Sequence, residues 1–289
     1  MIQFAATFDD LPFCTTLDKS QTDLVVAGIQ GLASVLQQLK IPAAGFACHN
    51  NTDILAAAPV EPELFTDLTQ AWIAAGHSIG NHTDHHLRYS TTNPNNMFSD
   101  IATCQEKLSQ VGGSNIYRAP YLDTGETAHK TEALNQYLST LGMVNVPANF
   151  ESADWIYAKL YIDAVRRDAS SEAAQIVELY ISYCEKSLER SLNVMEALNS
   201  QAPIIGLFHA NPLNHEHFPK LIERLSKFGI QFVDTASCAQ DAFYQQDSKL
   251  TGPNLLSYER MSEHLLGTRE KRVTYPADAV SAWKKLVQS

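Results

Sequence analysis

Ile2-Gln3-Phe4-Ala5-Ala6-Thr7-Phe8-Asp9-Asp10-Leu11-Pro12 is the stretch on which the fold turns. Ile2 to Phe8 is a short apolar run of β-formers, and Asp9-Asp10-Leu11-Pro12 is a turn signal. The reading is a buried strand that delivers two carboxylates at its C-terminal end. Over residues 23–39, Leu24, Ala27, Gly28, Leu32, Val35, Leu36 and Leu39 then recur with a helical period. A second small strand follows at Ala43–Ala47. The same alternation continues with a helix over 67–75, stopped by Gly76, and a strand over 78–81. Next come a helix over 99–110 ahead of Gly112-Gly113, a strand at 116–117, a helix over 126–140 and a strand over 143–146. A buried strand at 204–208, a helix near 218–228 and a strand at 231–233 close the series. Strands alternating with helices predict an α/β fold, a barrel-like parallel sheet with helices outside.

No linker, repeat or low-complexity block divides the 289 residues, so a single domain over 1–289 is expected. Two segments depart from the alternation. At about 155–200 a long helical stretch carries Val177, Tyr180, Ile181, Cys184, Leu188, Leu192 and Met195 on one face, a helical insertion expected to pack outside the barrel. From about 250 the chain is polar and less regular, an extension that closes the barrel's bottom or reaches a neighbouring subunit. A composition of 45% hydrophobic and 18% charged residues excludes a disordered chain, and no apolar run has the length of a membrane helix. With Lys+Arg 21 against Asp+Glu 32, a net charge of −11 argues against nucleic-acid and anionic-membrane partners. Cys14, Cys48, Cys104, Cys184 and Cys238 are never spaced as CxxC and read as buried thiols. The N-terminus shows no basic region or cleavage site. That reading implies a cytoplasmic protein if this is the full gene product, and a periplasmic or secreted one if it is trimmed. A homo-oligomer is compatible with the sequence but does not follow from it.

The informative feature is where the polar residues fall. Asp9-Asp10, His82 and His86, Arg118, Asp154 and His209 all lie at or just beyond strand ends, which share one face in a parallel barrel. His82 and His86, four apart, put two imidazoles on the same side of a helical turn or tight loop. Adding a carboxylate gives a His₂Asp set with open positions, that of a catalytic zinc. Adjacent carboxylates repel, so a metal on one aspartate and Arg118 near the other would resolve Asp9-Asp10. His209 ends the apolar run 204–208, and Asp154 would orient and charge it. His49, His77, His85, His129, His215, His217 and His264 read as structural, although His85 lies inside the cluster.

Thr7-Phe8-Asp9-Asp10, His82-Thr83-Asp84-His85-His86, Arg118-Ala119-Pro120-Tyr121, Asp154-Trp155 and Leu207-Phe208-His209 resemble, in order, the five motifs of the polysaccharide deacetylases. This is the NodB-homology group, carbohydrate esterase family 4, and the resemblance spans residues 1 to about 235. It implies a distorted (β/α)7 barrel. It also implies that Asp10, His82 and His86 hold a divalent metal, most often Zn2+, with Asp9 as general base and Arg118 positioning Asp9. By the same resemblance His209 is the general acid and Asp154 tunes its pKa. The backbone N–H of Tyr121 helps hold the oxyanion, and Trp155 and Leu207 wall the acetyl methyl. The implied reaction is removal of N-acetyl groups from an aminosugar-containing saccharide, so an acetylated saccharide is the expected partner.

Three departures from the family pattern stand out. Leu11 follows the aspartates where the family usually has Gly, and is expected to narrow the pocket's floor or rim. Glu151 stands where the fourth motif commonly begins with Asp, and Ala119 replaces a frequent Pro. Other readings of the same site are an O-acetyl sugar esterase, a cyclic amide or ureide hydrolase, and a non-catalytic saccharide-binding protein.

Overall fold

A computed structural model describes residues 1–12, 22–50 and 62–288; Cys14 and the side chain of Leu24 lie outside what it describes. The elements in chain order are β1 (Ile2–Leu11), α1 (Thr22–Gln38), β2 (Ala43–Ala47), α2 (Pro62–Ala74), β3 (Ser78–Asn81), α3 (Pro94–Val111), β4 (Ile116–Tyr117), α4 (Ala128–Thr140), β5 (Val144–Asn145) and β6 (Phe150–Glu151). They continue as α5 (Asp154–Arg166), α6 (Ser170–Ala197), β7 (Ile204–His209), α7 (Pro212–Leu225), β8 (Ile230–Phe232), α8 (Thr235–Cys238), α9 (Ala242–Asp247), α10 (Ser257–Leu266) and α11 (Ala277–Gln288). Every strand pairing is parallel, in the order β5-β4-β3-β2-β1-β7-β6, with β8 paired to the start of β1. β5 and β6 form the two edges, so the fold is a distorted (β/α)7 barrel that stays open between them.

Alternation along the strands explains both layers of the core. Phe4, Phe8 and Phe208 face the helices, where Phe8 meets Trp72 of α2 and Phe218 of α7, each with ring centroids 5.6 Å away. Thr7, Asp9, Leu207 and His209 take the opposite face, and the β1–β7 register sets Thr7 beside Leu207 and Asp9 beside His209. The barrel interior therefore carries a polar stripe leading to the strand ends.

Several boundaries differ from the sequence reading for local reasons. α3 starts at Pro94 rather than near 99, because the Asn93 side chain accepts from the Asn95 N–H and Pro94 fits the first helical turn. α7 starts at Pro212 rather than 218, capped by Asn211 on the Asn214 N–H. β6 is only two residues long, too short for a periodicity to register. The segment after 250 was expected to be irregular, yet it forms α10 and α11. α10 begins where Glu259 reaches back to the Leu256 N–H at 2.8 Å. The extension lies beside β6, α5 and α6: the Ser257 N–H donates to Ala148 O, and Arg272 and Tyr275 both reach the Glu151 carboxylate at the C-terminal end of β6. Among the described residues no helix is long and apolar enough to cross a membrane.

Candidate active site

The two aspartates are separated by a backbone irregularity. In a regular strand Asp9 and Asp10 would point to opposite faces. The β1–β2 register slips between Phe8 and Leu11, and Asp10 adopts φ 63°, a left-handed conformation that Asp tolerates better than most residues. Both carboxylates stay buried at the same strand end, each 4% exposed. Leu11, after this slip, is 2% exposed and covers Gly45 beside Trp72. It fills the layer between sheet and helices and does not narrow the pocket rim, because the irregularity turns its side chain into the apolar core.

Asp9 is held by Arg118, whose Nη1 lies 3.2 Å from both carboxylate oxygens. The other arm, Nη2, donates to Thr7 Oγ1 at 2.9 Å, and that hydroxyl donates to Gly206 O at 2.6 Å. Nε donates to Val146 O, so the guanidinium is fixed on three sides although it is only 1% exposed. This clamp keeps the Asp9 carboxylate in one orientation on the interior face.

Asp10 meets the two histidines. β3 ends at Asn81, and its side chain turns the next residues by accepting from the Thr83 N–H. Thr83 and His86 then take positive φ, so the four-residue spacing brings the imidazoles together through a tight loop rather than a helix. His82 Nδ1 is 2.8 Å from Arg118 O; a carbonyl only accepts, so Nδ1 carries the proton and Nε2 keeps its lone pair. Asp10 Oδ1 lies 3.5 Å from His82 Nε2 and 3.1 Å from His86 Nε2. Those separations suit ligands bound tetrahedrally at about 2.0–2.2 Å from one ion. Asp10 Oδ1 is buried and accepts no well-formed hydrogen bond from any described residue, although two imidazole nitrogens face it. Such a buried acceptor is costly unless a cation completes it. Burial would raise the Asp10 pKa, but the imidazoles of His86, His82 and His209 outweigh it and hold the carboxyl well below the ordinary range. The three residues fit a divalent metal.

His209 stands at the end of β7, its Nε2 3.7 Å from Asp10 Oδ2. Its Nδ1 donates to Asp154 Oδ1 at 2.7 Å, and its backbone N–H donates to Asp154 Oδ2, also at 2.7 Å. Burial alone would lower the His209 pKa; the fully buried Asp154 charge overcomes this and raises it to about 9. The imidazole is thereby held protonated at neutral pH, with Nε2–H facing the Asp10 side. Asp154 also accepts from Asn211 Nδ2 at 3.0 Å and Asn214 Nδ2 at 2.6 Å, and Tyr180 of α6 donates to Asn214 Oδ1 at 2.7 Å. The sequence reading missed Asn211, Asn214 and Tyr180. The only signal for the first two was the Asn-Pro helix start, which explains a cap and not a carboxylate partner.

The remaining expected site residues divide. Tyr121 has φ 57°, and its N–H makes no hydrogen bond with any described residue; its ring lies 4.4 Å from the His86 ring. Leu207 shares the interior face with His209 and is 7% exposed. The Trp155 ring packs edge-on against Tyr275 and Trp283 of the C-terminal extension, at 5.9 and 4.9 Å. Within the histidine motif, Asp84 and His85 turn away. Lys107 and Asn50 hold the Asp84 carboxylate, each at 2.7 Å, while His85 Nδ1 sits 2.6 Å from Asp100 Oδ1. Asp84, His85 and Asp100 form a second carboxylate–imidazole group, but Asp100 also accepts from the Asp84 and His85 backbone N–H groups, so this cluster anchors the loop.

Comparisons with known proteins bear on the sequence family and on the fold. Residues 3–145 match the family model described as polysaccharide deacetylase. Among solved structures the chain is similar to the polysaccharide deacetylase Bc1974 from Bacillus cereus, with 20% identity, 81% of this chain and 92% of that one covered, and a TM-score of 0.54. It is also similar to the chitin deacetylase of the fungal pathogen Colletotrichum lindemuthianum, with 22% identity, 83% and 88% covered, and a TM-score of 0.52. No curated protein sequence matches the chain significantly. Residues 3–145 carry the match to the polysaccharide deacetylase family, and the shared fold covers 81–83% of the chain.

Proposed function

We propose that the protein is a metal-dependent hydrolase that removes N-acetyl groups from an aminosugar-containing saccharide. One observation carries this reading: the unpartnered Asp10 Oδ1 meets two imidazole nitrogens between an Arg118-clamped Asp9 and an Asp154-backed His209. A metal-water hydrolase of amides needs this division, because base and acid must be separate groups in opposite protonation states.

Asp10, His82 and His86 would hold the metal, Zn2+ by the donor set. When bound, the ion polarises the acetyl carbonyl and lowers the pKa of water to about 7. Asp9, fixed by Arg118, takes the proton of the attacking water. As charge develops on the carbonyl oxygen, the Tyr121 N–H donates to it, a contribution of a few kcal/mol when aimed at the transition state. His209 Nε2–H passes its proton to the leaving nitrogen, so the C–N bond breaks to give the amine and acetic acid, which ionises to acetate in solvent, while Asp9 has gained the proton that water lost. Leu207 lines the interior face next to His209, where it would exclude water from the acetyl methyl.

The test is acetate release, with and without a chelator, over N-acetylglucosamine oligomers, peptidoglycan fragments and O-acetylated xylan oligomers. Chelator-sensitive release from the N-acetylated substrates is expected. Release from the xylan oligomers alone would make the protein an esterase, and silence across the panel with metal bound would refute acetyl hydrolysis.

A further inference from the structure

Arg88 lies two residues past His86, and the five sequence motifs assign it nothing. Its guanidinium carbon sits 3.8 Å over the centroid of the Tyr121 ring, which is itself 4.4 Å from the His86 ring. The guanidinium is thus at most about 8 Å from the His86 imidazole (4.4 Å ring to ring, 3.8 Å ring to cation). Among the described residues at least seven of the nine arginines hold a carboxylate. Arg88 does not: among the described residues its guanidinium has the Tyr121 face and no anion, in a chain with an excess of acidic groups. A guanidinium over an aromatic face makes no hydrogen bond to it, and so retains N–H groups for a planar anion.

The backbone under Arg88 is fixed. Arg88 O accepts from Thr92 Oγ1 at 2.7 Å, and Asp123 accepts from both the N–H and the Oγ of Ser90, at 2.9 and 2.6 Å. Lys130 Nζ donates to the carbonyl oxygens of Tyr89, Ser90 and Thr92. These bonds staple the Arg88 loop to the segment carrying Tyr121, so the cation is held half-buried beside the site before a ligand arrives. Preorganisation of this kind favours binding, since little side-chain freedom is lost.

We propose that Arg88 is a specificity residue that recognises a carboxylate on the saccharide, so that the preferred substrate is an acetylated aminosugar saccharide bearing a carboxylate rather than a neutral acetylated polymer. This rests on the saccharide-hydrolase reading above, and binding distinguishes the two. Calorimetry on the metal-loaded protein would compare an N-acetylglucosamine disaccharide bearing a lactyl-ether carboxylate with its methyl ester. The wild type is expected to prefer the free carboxylate by about tenfold or more, as a charge-assisted bidentate contact gives. In Arg88→Met the preference falls to about one, and Arg88→Lys restores part of it. If Arg88 only supports the Tyr121 ring, both ligands weaken together and their ratio persists in Arg88→Met, which overturns the proposal. Equal binding of the two ligands by the wild type overturns it as well. Acetate release from either disaccharide tests the hydrolase reading alone.

Discussion

Asp154→Asn separates charge from orientation in the acid half of the site. Asp154 is fully buried and contacts His209 twice at 2.7 Å, and it is the main reason the imidazole is raised to about 9 against its burial. With His209 as the proposed acid, activity is expected below its pKa and is lost as pH rises through it. Removing the Asp154 charge takes away the largest raising influence, leaving Asp10 and Asp9 against burial, and brings His209 down toward its ordinary 6.5. At pH 8 a group with pKa about 9 is roughly nine-tenths protonated and one at 6.5 roughly 3%, while at pH 6 the second is still about three-quarters protonated, so the variant should lose about 20-fold more at pH 8 than at pH 6. The loss that remains at pH 6 measures orientation, because an amide no longer enforces the Nδ1–H tautomer. A dication on Asp10, His82 and His86 lowers both limbs together, so the separation between them carries the test. The assay is kcat/KM for acetate release from pH 5 to 10, with the His209 ring nitrogens followed by NMR. Superimposable alkaline limbs in wild type and variant would refute the assignment of His209 as the titrating acid.

Other residues give sharper yes-or-no outcomes. His82→Ala and Asp10→Asn should bring bound metal below one per chain by elemental analysis, whereas Asp9→Asn should keep the metal and lose roughly 10²–10⁴ in turnover; full metal content in His82→Ala would rule out the ligand set. Arg118→Ala leaves the Asp9 carboxylate buried without its cation, and urea unfolding should show a loss of about 3–5 kcal/mol. Arg272→Met strands Glu151 and Glu259, which Arg272 holds at 2.5 and 2.7 Å, with a similar cost; an unchanged midpoint would mean that the C-terminal extension is not clamped to β6. Gly45→Ala drives a methyl into Leu11 and should cost about 1–3 kcal/mol, and a neutral result would contradict the placement of Leu11 in the core.

What the sequence made legible was local. The apolar runs of β1 and β7 and the helical periods between them predicted the barrel, because each pattern is complete within one element. His82 and His86 were readable as a pair because the loop that joins them is five residues long. Partners distant in sequence left no such trace. Asp154 meets Asn214 across 60 positions, Tyr180 reaches Asn214 across 34, and Arg272 reaches Glu151 across 121. An Asn, a Tyr or an Arg that satisfies a buried carboxylate has no periodicity, and each reads equally well as a cap, a core residue or a surface charge. The helices after Trp155 could be read only as packing for the barrel's outside, although α6 carries the hydroxyl at the far end of the chain Tyr180–Asn214–Asp154–His209.

The two adjacent aspartates mark the limit of legibility most clearly. Repulsion argued that a cation must answer each carboxylate, and the sequence offered one metal and one arginine for two residues. Strand alternation, taken alone, sends one of the pair to the helix layer and would have left a single carboxylate in the site. The slip in the β1–β2 register and the left-handed Asp10 reverse that, since they return the second carboxylate to the face of the first. Leu11 is the residue that makes the slip affordable: its side chain reaches the apolar layer over Gly45, where a larger residue at 45 would collide with it. The Leu in place of the family's usual Gly is therefore a change in how the site is supported from beneath, in the apolar layer between sheet and helices.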